Sequence, residues 1–467
     1  MRKLIFVIWM VCGAILVMAQ DVRKELKTDV NRSAGIYYAL PPTKTYHDTP
    51  APAGKKPFYF NHYGCPASFY LGKPDDYRRP INTLAKADSL GKLTNLGRDV
   101  LRRLELVYHD ALHRSGEMKD EGARLMREQM AQLTKRYPEL FVPTSYFDTR
   151  SLVEVHCIQT ANEAMVELSK RCHAGMAIVA SHRDKPWLNQ SDKLLNSQRT
   201  DSLTMLHYNR FYAQNTNDTR LMETLFSDKD YVAGHVDAAK LSRELFKVAG
   251  SIQQTLLDRN LTLYDIFTPE EIYRHWRRQN AWNYISYGNC SLNGGYQAYT
   301  QREPFWNMLH MGDSVMSLDH SVMHLRYTDS HVLLSLASLM ELDDCGVTTS
   351  NLDSLEHLGW VNYRIAPLGG RIEMIHYRSG QDDKDPLVKV LFNGREARLP
   401  IETDCAPYYH WIDVKRYYLR KLYRYEKVRN DENEKRKWDY ETIRNTVHYS
   451  LFTIYWRSAL PVRGRTD

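Results

Sequence analysis

The stretch that decides the fold is FYFNHYGCPASFY, Phe58–Tyr70. The apolar and aromatic run Pro57–Phe60 is typical of a buried β-strand. The residues that follow it, Asn61–Pro66, include a glycine and a proline, and they predict the turn that ends this strand. Ligands of open α/β sheets bind at the carboxyl ends of the strands. This turn is therefore the first candidate for a functional site, although an ordinary strand-to-loop junction has the same pattern.

The amino terminus, MRKLIFVIWMVCGAILVMAQ, has a basic start, an apolar run from Leu4 and the small residue Ala19. This pattern predicts a secretory signal peptide over residues 1–19, cleaved near Ala19, and an exported protein, periplasmic or extracellular. The bulky Val11 before Cys12 disfavours a lipid anchor at that cysteine. No other segment is long and apolar enough to predict a membrane span.

The charge and cysteine content exclude some classes of partner. Lysines and arginines number 63 against 56 acidic residues, a mild net charge of +7, and they are scattered along the chain. We therefore expect no nucleic-acid partner. No CxxC or HxxxH pair predicts a metal site, and we expect no cofactor. Outside the predicted signal peptide there are six cysteines, which could form up to three disulfides in an open pairing: Cys65, Cys157, Cys172, Cys290, Cys345 and Cys405.

The first half of the chain alternates between helix and strand signals. Residues 20–54 contain four prolines among polar residues and predict an irregular lead-in. The Ser151 hydroxyl is expected to cap the helix that follows it. The periodicity predicts helices from Thr94 to Leu112 and from Asp120 to Lys135, and strands over Val142–Phe147 and His324–Tyr327.

The second half predicts an insertion and two hairpins. From about Lys185 to Asp319 strand signals fade and helical stretches dominate, which predicts an inserted α-helical cap domain. The turn Gly369-Gly370 is expected to join strands Tyr363–Pro367 and Ile372–Tyr377, and Asn393-Gly394 predicts a second hairpin. The fold class is therefore α/β, a core sheet flanked by helices. The predicted domains are the core (55–184 and 320–426), the cap (185–319) and a charged C-terminal tail (427–467).

Several separated segments resemble the multiple inositol polyphosphate phosphatases, the secreted, phytase-like branch of the histidine acid phosphatase superfamily, and especially its bacterial members. The resemblance covers roughly Tyr59–Leu422 in the family's order. The segments that carry it include GKLTNLGRDVLRRLELVY, HRSGEMKDEGARLMREQMAQLTKRYPELF, DTRSLVEVHCIQTANEAM, LYDIFTPEEIYRHWRRQNAWNYISYGNCSLNGG and HLRYTDSHVLLSLASLMELDDCG.

The resemblance implies an α/β core joined to a helical cap, and hydrolysis of phosphomonoesters through a covalent intermediate. In the family, a histidine in an Arg-His-Gly-x-Arg turn attacks phosphorus and arginines bind the phosphoryl oxygens. A later acid protonates the leaving alcohol. Such chemistry needs a positioned nucleophile and dense positive charge around the phosphoryl group.

This sequence departs from the family at the first catalytic turn. Aligned on Gly64, the nucleophilic histidine is replaced by Tyr63, the first arginine by His62 and the second by Pro66. A tyrosine with a pKa of about 10 is a poor nucleophile. A slip of one residue would instead place His62 at the nucleophile position, still without its flanking arginines.

The second segment keeps one functional residue of the family. Arg150 stands where the family holds phosphate with an arginine, although a salt bridge to a nearby acid such as Asp148 would explain it equally well. The next family arginine is replaced by His156, which carries charge only when protonated.

The third segment loses its proton donor. The family's phosphate-binding histidine is replaced by Asp329, whose carboxylate would repel a phosphoryl group. The family's acid is replaced by Ser330, which cannot deliver a proton as a carboxylic acid does. His331 lies one residue after the position of the family's acid.

Two functional hypotheses follow, and the sequence leaves enzymatic activity open. The first is a secreted pseudophosphatase that binds a phosphorylated small molecule, of the inositol phosphate kind, or an unknown protein partner. The alternative is an active phosphomonoesterase on inositol polyphosphates that works through His62, Arg150 and His331 in a rearranged pocket. A third, weaker hypothesis is a hydrolase built on Tyr63 or Cys65. Positive charge converging in the cleft would favour phosphate binding, and the candidates are Lys73, Arg78, Arg79, Arg150 and Lys185.

Overall fold

The computed structural model is built around one mixed β-sheet of eight strands, in the order β3-β2-β4-β1-β5-β6-β7, with β8 also paired to β6. Strands β1 to β4 run parallel to their neighbours within this group, and the remaining strands are antiparallel. The strands are β1 (Lys56–Gly64), β2 (Tyr146–Ser151), β3 (Ile178–Ala180), β4 (Val322–Tyr327), β5 (Arg371–Arg378), β6 (Leu387–Phe392), β7 (Arg395–Glu396) and β8 (Tyr408–His410).

Sixteen α-helices are found in the described residues, which are 21–41, 46–172, 177–255, 257 and 260–432. None of these helices is both long and apolar enough to cross a membrane. They are α1 (Val22–Thr28), α2 (Asp75–Ser89), α3 (Asn95–Ala111), α4 (Asp120–Arg136), α5 (Val155–Leu168), α6 (Lys185–Leu188), α7 (Lys193–Arg199), α8 (Ser202–Gln214), α9 (Thr219–Leu225), α10 (Lys229–His235), α11 (Ala238–Ser251), α12 (Pro269–Tyr287), α13 (Arg302–Ser314), α14 (Ser330–Met340), α15 (Asn362–Ile365) and α16 (Trp411–Glu432).

The α/β fold class and the strand–helix alternation are confirmed by these elements. Helices α3 and α4 begin where they were predicted, and the Thr94 hydroxyl accepts a hydrogen bond from Gly97 N as the cap of α3. Ten of the eleven residues of α14 are buried, as its nearly continuous apolar sequence predicts. The predicted signal peptide, Cys12 and tail residues 433–467 lie outside the described residues.

Strand β1 extends further than predicted. Asn61, His62 and Tyr63 pair with β4 on one side and β5 on the other, so the turn begins only after Gly64. Two backbone ladders outweigh the local turn preference of asparagine and glycine. A Cβ on Gly64 would lie 2.4 Å from His62 Nε2, which explains the glycine at this position.

Four local predictions are wrong. The lead-in is not irregular throughout, because α1 and a 3₁₀ helix, Val30–Tyr37, occupy it. Strand β2 begins only at Tyr146 and includes Asp148–Ser151. The Ser151 hydroxyl bonds Leu152 O and caps no helix, since α5 begins four residues later. The first predicted strand of the Gly369-Gly370 hairpin is instead the short helix α15.

Two hydrophobic clusters hold the helices in place. One joins α4 and α5 to the face of the sheet that carries Phe60 and Leu325. The other joins α2 and α3 of the predicted core to α9 and α11 of the predicted cap. The division into core and cap remains a prediction, since residues of both lie within one compact unit that ends at Arg416.

The six cysteines of the described residues are all free thiols, and only Cys405 is partly exposed. The structure therefore contains none of the three disulfides that the count allowed. Cys65 is a buried thiol that donates to Pro367 O at 2.7 Å.

Candidate ligand-binding site

The strand register separates the predicted site residues onto opposite faces of the sheet. Tyr63 pairs with Arg326, which pairs in turn with Arg150, so these three side chains share one face. His62 pairs with Leu325 and points to the other face. The structure therefore does not bring His62 and Arg150 together.

His62 is buried in the core rather than exposed at a strand end. Its side chain is 1% exposed, and its ring packs against Phe60 and Tyr327. Its Nδ1 lies 3.2 Å from Glu373 Oε1, and Arg371 Nε donates to the same oxygen at 3.1 Å. Burial opposes ionisation of Glu373, yet Arg371 and His62 together lower its pKa to about 2. His62 thus belongs to a buried polar chain.

Arg150 is neutralised by two acids. Its side chain pairs with Asp148 at 3.0 Å and with the fully buried Asp184 at 2.9 Å. Asp148 also accepts from Arg326 Nη2 at 2.7 Å. Burial disfavours the charged form of Asp148, but Arg326 and Arg150 hold its pKa below the ordinary value. The salt-bridge interpretation of Arg150 is therefore the one that the contacts support.

The segment Asp184–Asn189 covers the carboxyl ends of β1, β2 and β4. Besides the Arg150 pair, Trp187 O accepts from the Tyr63 hydroxyl at 2.8 Å, and Leu188 O accepts from Thr328 Oγ1 at 2.6 Å. Burial raises the pKa of Tyr63, so its phenol stays protonated. The chain itself therefore occupies the space beside Tyr63.

His156, Asp329 and His331 are brought together at the same edge of the sheet. Asp329 Oδ1 lies 3.5 Å from His156 Nε2, and Asp329 Oδ2 lies 3.8 Å from His331 Nε2. Asn189 Nδ2 lies within 3.3 Å of both Asp329 Oδ2 and His331 Nε2. Burial opposes ionisation of Asp329, but hydrogen bonding to His156 and the charge of His331 lower its pKa. Asp329 therefore contributes a negative charge at this edge of the sheet.

Ser330 and Cys65 adjoin this edge without forming a reactive pair. Ser330 is the buried first residue of α14. Burial raises the pKa of Cys65 to about 11, although a hydrogen bond with Ser330 opposes that shift. Cys65 is therefore a thiol, not the thiolate that nucleophilic attack requires.

A cavity of about 370 Å³ lies next to this edge, between the loop after β1 and helices α8, α11 and α12. Its volume is within the range of small-molecule sites. Phe69 lines the cavity and also stacks on His156, with 4.2 Å between ring centres. The aromatic lining consists of Tyr37, Phe69, Tyr208, Tyr212, Phe246 and Trp282.

Four cationic side chains converge on this cavity: Lys119, Arg243, Lys247 and Arg278. Lys247 is paired with Asp76 at 2.8 Å. Among the described residues, no carboxylate lies within ion-pairing distance of the other three cations, which contact neutral groups instead. Arg243 Nη1 donates to Tyr212 Oη at 3.0 Å, and Arg278 Nη1 donates to Thr216 Oγ1 at 2.6 Å.

Two further groups tune the electrostatics of the cavity. Lys119 Nζ donates to Ser251 O and Gln253 O, and burial lowers its pKa to about 7. His275 stacks on Phe246 and accepts from Arg278. Burial and the charge of Arg278 hold the pKa of His275 well below its ordinary value, so this imidazole is neutral. The cavity therefore presents positive charge with an aromatic lining.

Sequence reasoning missed these cations. Of the five candidates that the sequence suggested, Lys73, Arg78, Arg79, Arg150 and Lys185, none lines the cavity. Lys119 and Arg278 do lie within segments that carry the family resemblance. Their convergence depends on tertiary packing between helices that are far apart in the sequence, which no local pattern reveals.

The comparisons with known proteins match the fold but not the sequence. No family model and no curated protein matches this chain. A multiple inositol polyphosphate phosphatase of Bifidobacterium longum, solved with inositol hexasulfate, superposes with a TM-score of 0.69 at 12% identity, over 82% of this chain and 97% of that one. The chain has the histidine acid phosphatase fold.

Phytases share this fold at similar identity. The phytase of D. castellii superposes with a TM-score of 0.56 at 13% identity, over 84% of this chain and 85% of that one. Hafnia alvei phytase, in complex with myo-inositol hexakis sulphate, gives a TM-score of 0.50 at 11% identity, over 79% of this chain and 98% of that one. The histidine acid phosphatase fold expected from the resemblance is confirmed.

Proposed function

We propose that this protein binds a phosphorylated small molecule of the inositol phosphate class in the cavity lined by Lys119, Arg243, Lys247 and Arg278, and that it does not hydrolyse phosphomonoesters. The single observation that carries the binding proposal is the convergence of these four cations, three of them without a carboxylate partner among the described residues. Arginine and lysine side chains are the groups that recognise multiple phosphates.

The placement of the cavity supports the same ligand class. It adjoins the carboxyl ends of the parallel strands through Phe69, and ligands of open α/β sheets bind at such ends. The solved relatives with this fold include complexes with inositol hexasulfate and myo-inositol hexakis sulphate. A compact polyanion matches both the charge and the size of the cavity.

The loss of catalysis is proposed from three contacts. Tyr63, at the position of the nucleophile, donates its hydroxyl hydrogen to Trp187 O. Arg150, the retained phosphate-binding arginine, is paired with Asp148 and Asp184. Asp329 adds negative charge where a phosphoryl group would bind. Residues that act as a unit in catalysis do not contribute additively, and without a nucleophile the remaining groups have no intermediate to stabilise.

The alternative is an active phosphomonoesterase that uses His62, Arg150 and His331. This alternative needs the three side chains in one pocket. The register places His62 and Arg150 on opposite faces of the sheet, and His62 is 1% exposed. Both observations favour the binding protein over the enzyme.

Export is a separate part of the proposal, and it depends on the amino-terminal pattern alone. The basic start, apolar run and Ala19 are those of a secretory signal. Amino-terminal sequencing of the protein recovered outside the cytoplasm would give a start near Gln20 if the signal is cleaved. A protein retained in the cytoplasm with an intact Met1 would contradict export.

Phosphate release tests the catalytic half of the proposal. Purified protein would be incubated with phytate and with an aryl phosphate from about pH 4 to 8, the range in which histidines and carboxylic acids act as general acids. We expect no phosphate release above that of a blank without protein. Any turnover by the wild type would contradict the proposal. Its loss in a His62→Ala variant that keeps the wild-type circular dichroism spectrum would identify His62 as a relocated nucleophile.

A further inference from the structure

A second group of ligating side chains lies on the opposite, antiparallel side of the sheet. The turn before β8 folds Asp404 and Cys405 back toward His410, the last residue of β8. His410 Nε2 lies 3.0 Å from Asp404 Oδ1 and 4.0 Å from Cys405 Sγ, and the three ligand atoms are all within 4.8 Å of one another. Thr403 Oγ1 holds the turn by donating to Tyr408 O at 2.9 Å.

The imidazole of His410 is oriented by a fourth residue. Asp385 Oδ1 lies 2.7 Å from His410 Nδ1, on the side of the ring away from Asp404. Strand pairing fixes this contact, because Leu387 pairs with His410 and Trp411 N donates to Pro386 O at 2.9 Å. A carboxylate on the far nitrogen of a histidine is the usual arrangement around a metal-binding imidazole.

The donor set and its spacing suit one class of cation. Zinc binds thiolate sulfur, imidazole nitrogen and carboxylate oxygen at about 2.0–2.3 Å, so neighbouring ligand atoms of a tetrahedral site lie roughly 3.3–3.8 Å apart. The distances from His410 Nε2 to Asp404 Oδ1, 3.0 Å, and to Cys405 Sγ, 4.0 Å, lie on either side of this range. His410 and Cys405 are also partly exposed, which leaves a path for the ion and a position for a water ligand.

We propose that Asp404, Cys405 and His410 form a zinc-binding site, with Asp385 as the positioning residue for His410. Binding would place Zn²⁺ between Nε2, Sγ and the Asp404 carboxylate, with the thiol proton and the Nε2 proton released to solvent. Zinc affinity should therefore increase with pH. This site does not depend on the proposed ligand cavity.

A titration of the purified protein with Zn²⁺, against a competing chromophoric chelator, tests the site. We expect the wild type to bind one Zn²⁺, and the His410→Ala and Cys405→Ser variants each to lose it. Asp385→Asn should bind about 10–100-fold more weakly, since it alters only the orientation of the ligand. His320→Ala is the matched control, because His320 pairs with Asp319 at 2.8 Å without a nearby cysteine.

The absorption spectrum of bound Co²⁺ shows whether the Cys405 sulfur is a ligand of the metal ion. Co²⁺ bound at this site should show a thiolate-to-metal charge-transfer band that Cys405→Ser removes. A wild type that binds no Zn²⁺, or a His410→Ala variant that binds as tightly as the wild type, would overturn the proposal. So would loss of binding in His156→Ala, since His156, Cys157 and Asp329 form another possible metal-binding group among the described residues.

Discussion

Arg150 Nη1 lies 2.9 Å from Asp184 Oδ2, and the Asp184 side chain has no exposed surface. Asp148 lies on the other side of the same guanidinium. The arginine that the sequence marks as the best-preserved phosphate ligand is therefore already paired on both sides. A phosphate oxygen would have to compete with these two carboxylates for the guanidinium, and a buried carboxylate left unpaired is costly.

Arg150 should therefore matter for stability more than for ligand binding. The variant Arg150→Ala leaves the buried Asp184 with only Arg183, whose Nε lies 3.7 Å away, and breaking a buried pair costs about 3–5 kcal/mol. Urea unfolding followed by circular dichroism measures the loss. Adding Asp184→Asn to Arg150→Ala should recover part of it, because the uncompensated charge is then gone.

The matched control is Arg102→Ala, which breaks the exposed pair with Asp99 on α3. Such surface pairs contribute little. Equal losses in Arg150→Ala and Arg102→Ala would show that the Arg150–Asp184 pair is not the buried contact described here.

Glu373 makes stability depend on pH in the acid range. Its folded-state pKa is about 2, below the value of about 4.3 in an unfolded chain. The stabilising contribution is therefore complete above pH 4.3 and is lost as the pH falls toward 2. Unfolding free energies of the wild type should decline across this window, and those of Glu373→Gln should decline less. Identical slopes for the two proteins would contradict this role.

His376 makes the free energy of unfolding depend on pH in a higher range than Glu373 does. Burial lowers its pKa to about 3, and neither ring nitrogen has a hydrogen-bond partner among the described residues. The unfolded chain binds a proton at about pH 6.5, so stability should fall as the pH decreases from 6.5 toward 3. His324, whose pKa burial also lowers to about 3, adds to the same trend.

The variant His376→Phe tests this contribution. It removes the buried ring nitrogens while keeping a planar side chain against Trp411 and Tyr59. We expect a smaller decline in unfolding free energy between pH 6.5 and 4.5 and little change at pH 7. The control His320→Ala changes a partly exposed histidine and should keep the wild-type slope. A steeper decline in His376→Phe would contradict the neutral, buried state of His376.

Lys119 should make ligand affinity depend on pH. Its pKa is about 7 because of burial, so the cavity loses a positive charge between about pH 6 and 8. Inositol hexasulfate is a suitable probe, since its sulfate groups stay ionised throughout this range. Its affinity should fall as the pH rises, and Lys119→Met should bind more weakly at pH 6 with a flatter profile. A wild-type profile as flat as that of Lys119→Met would exclude Lys119 from the site.

Local sequence signals predicted the elements better than their ends. Thr94 and the periodic residues after it predict α3 because the cap and the buried face are both encoded within one helix. The end of β1 was misplaced because Asn61 and Gly64 favour turns locally, whereas two neighbouring strands hold them extended. The sequence Tyr363–Pro367 reads as a strand by its apolar residues, yet it forms α15 against the α1 region.

The site was only partly predictable for a related reason. The sequence identified Asp329 and His331 as substitutions at one edge of the sheet, and it identified Asp148 as a possible partner for Arg150. It could not show that Arg243 and Arg278, on separate helices, face the same cavity as Lys119. Convergence of distant side chains is a property of packing and has no local pattern.

Calorimetric titration of the wild type and Arg243→Met with inositol hexasulfate at pH 6 tests the central claim most directly. Arg243 is exposed apart from its contact with Tyr212, so the variant should fold, and Arg102→Met is the matched control. A charge-assisted hydrogen bond contributes about 1.5–3 kcal/mol, so we expect Arg243→Met to bind roughly 10–100-fold more weakly than the wild type and Arg102→Met. No binding by the wild type, or equal affinity in Arg243→Met, would contradict a polyanion site in this cavity.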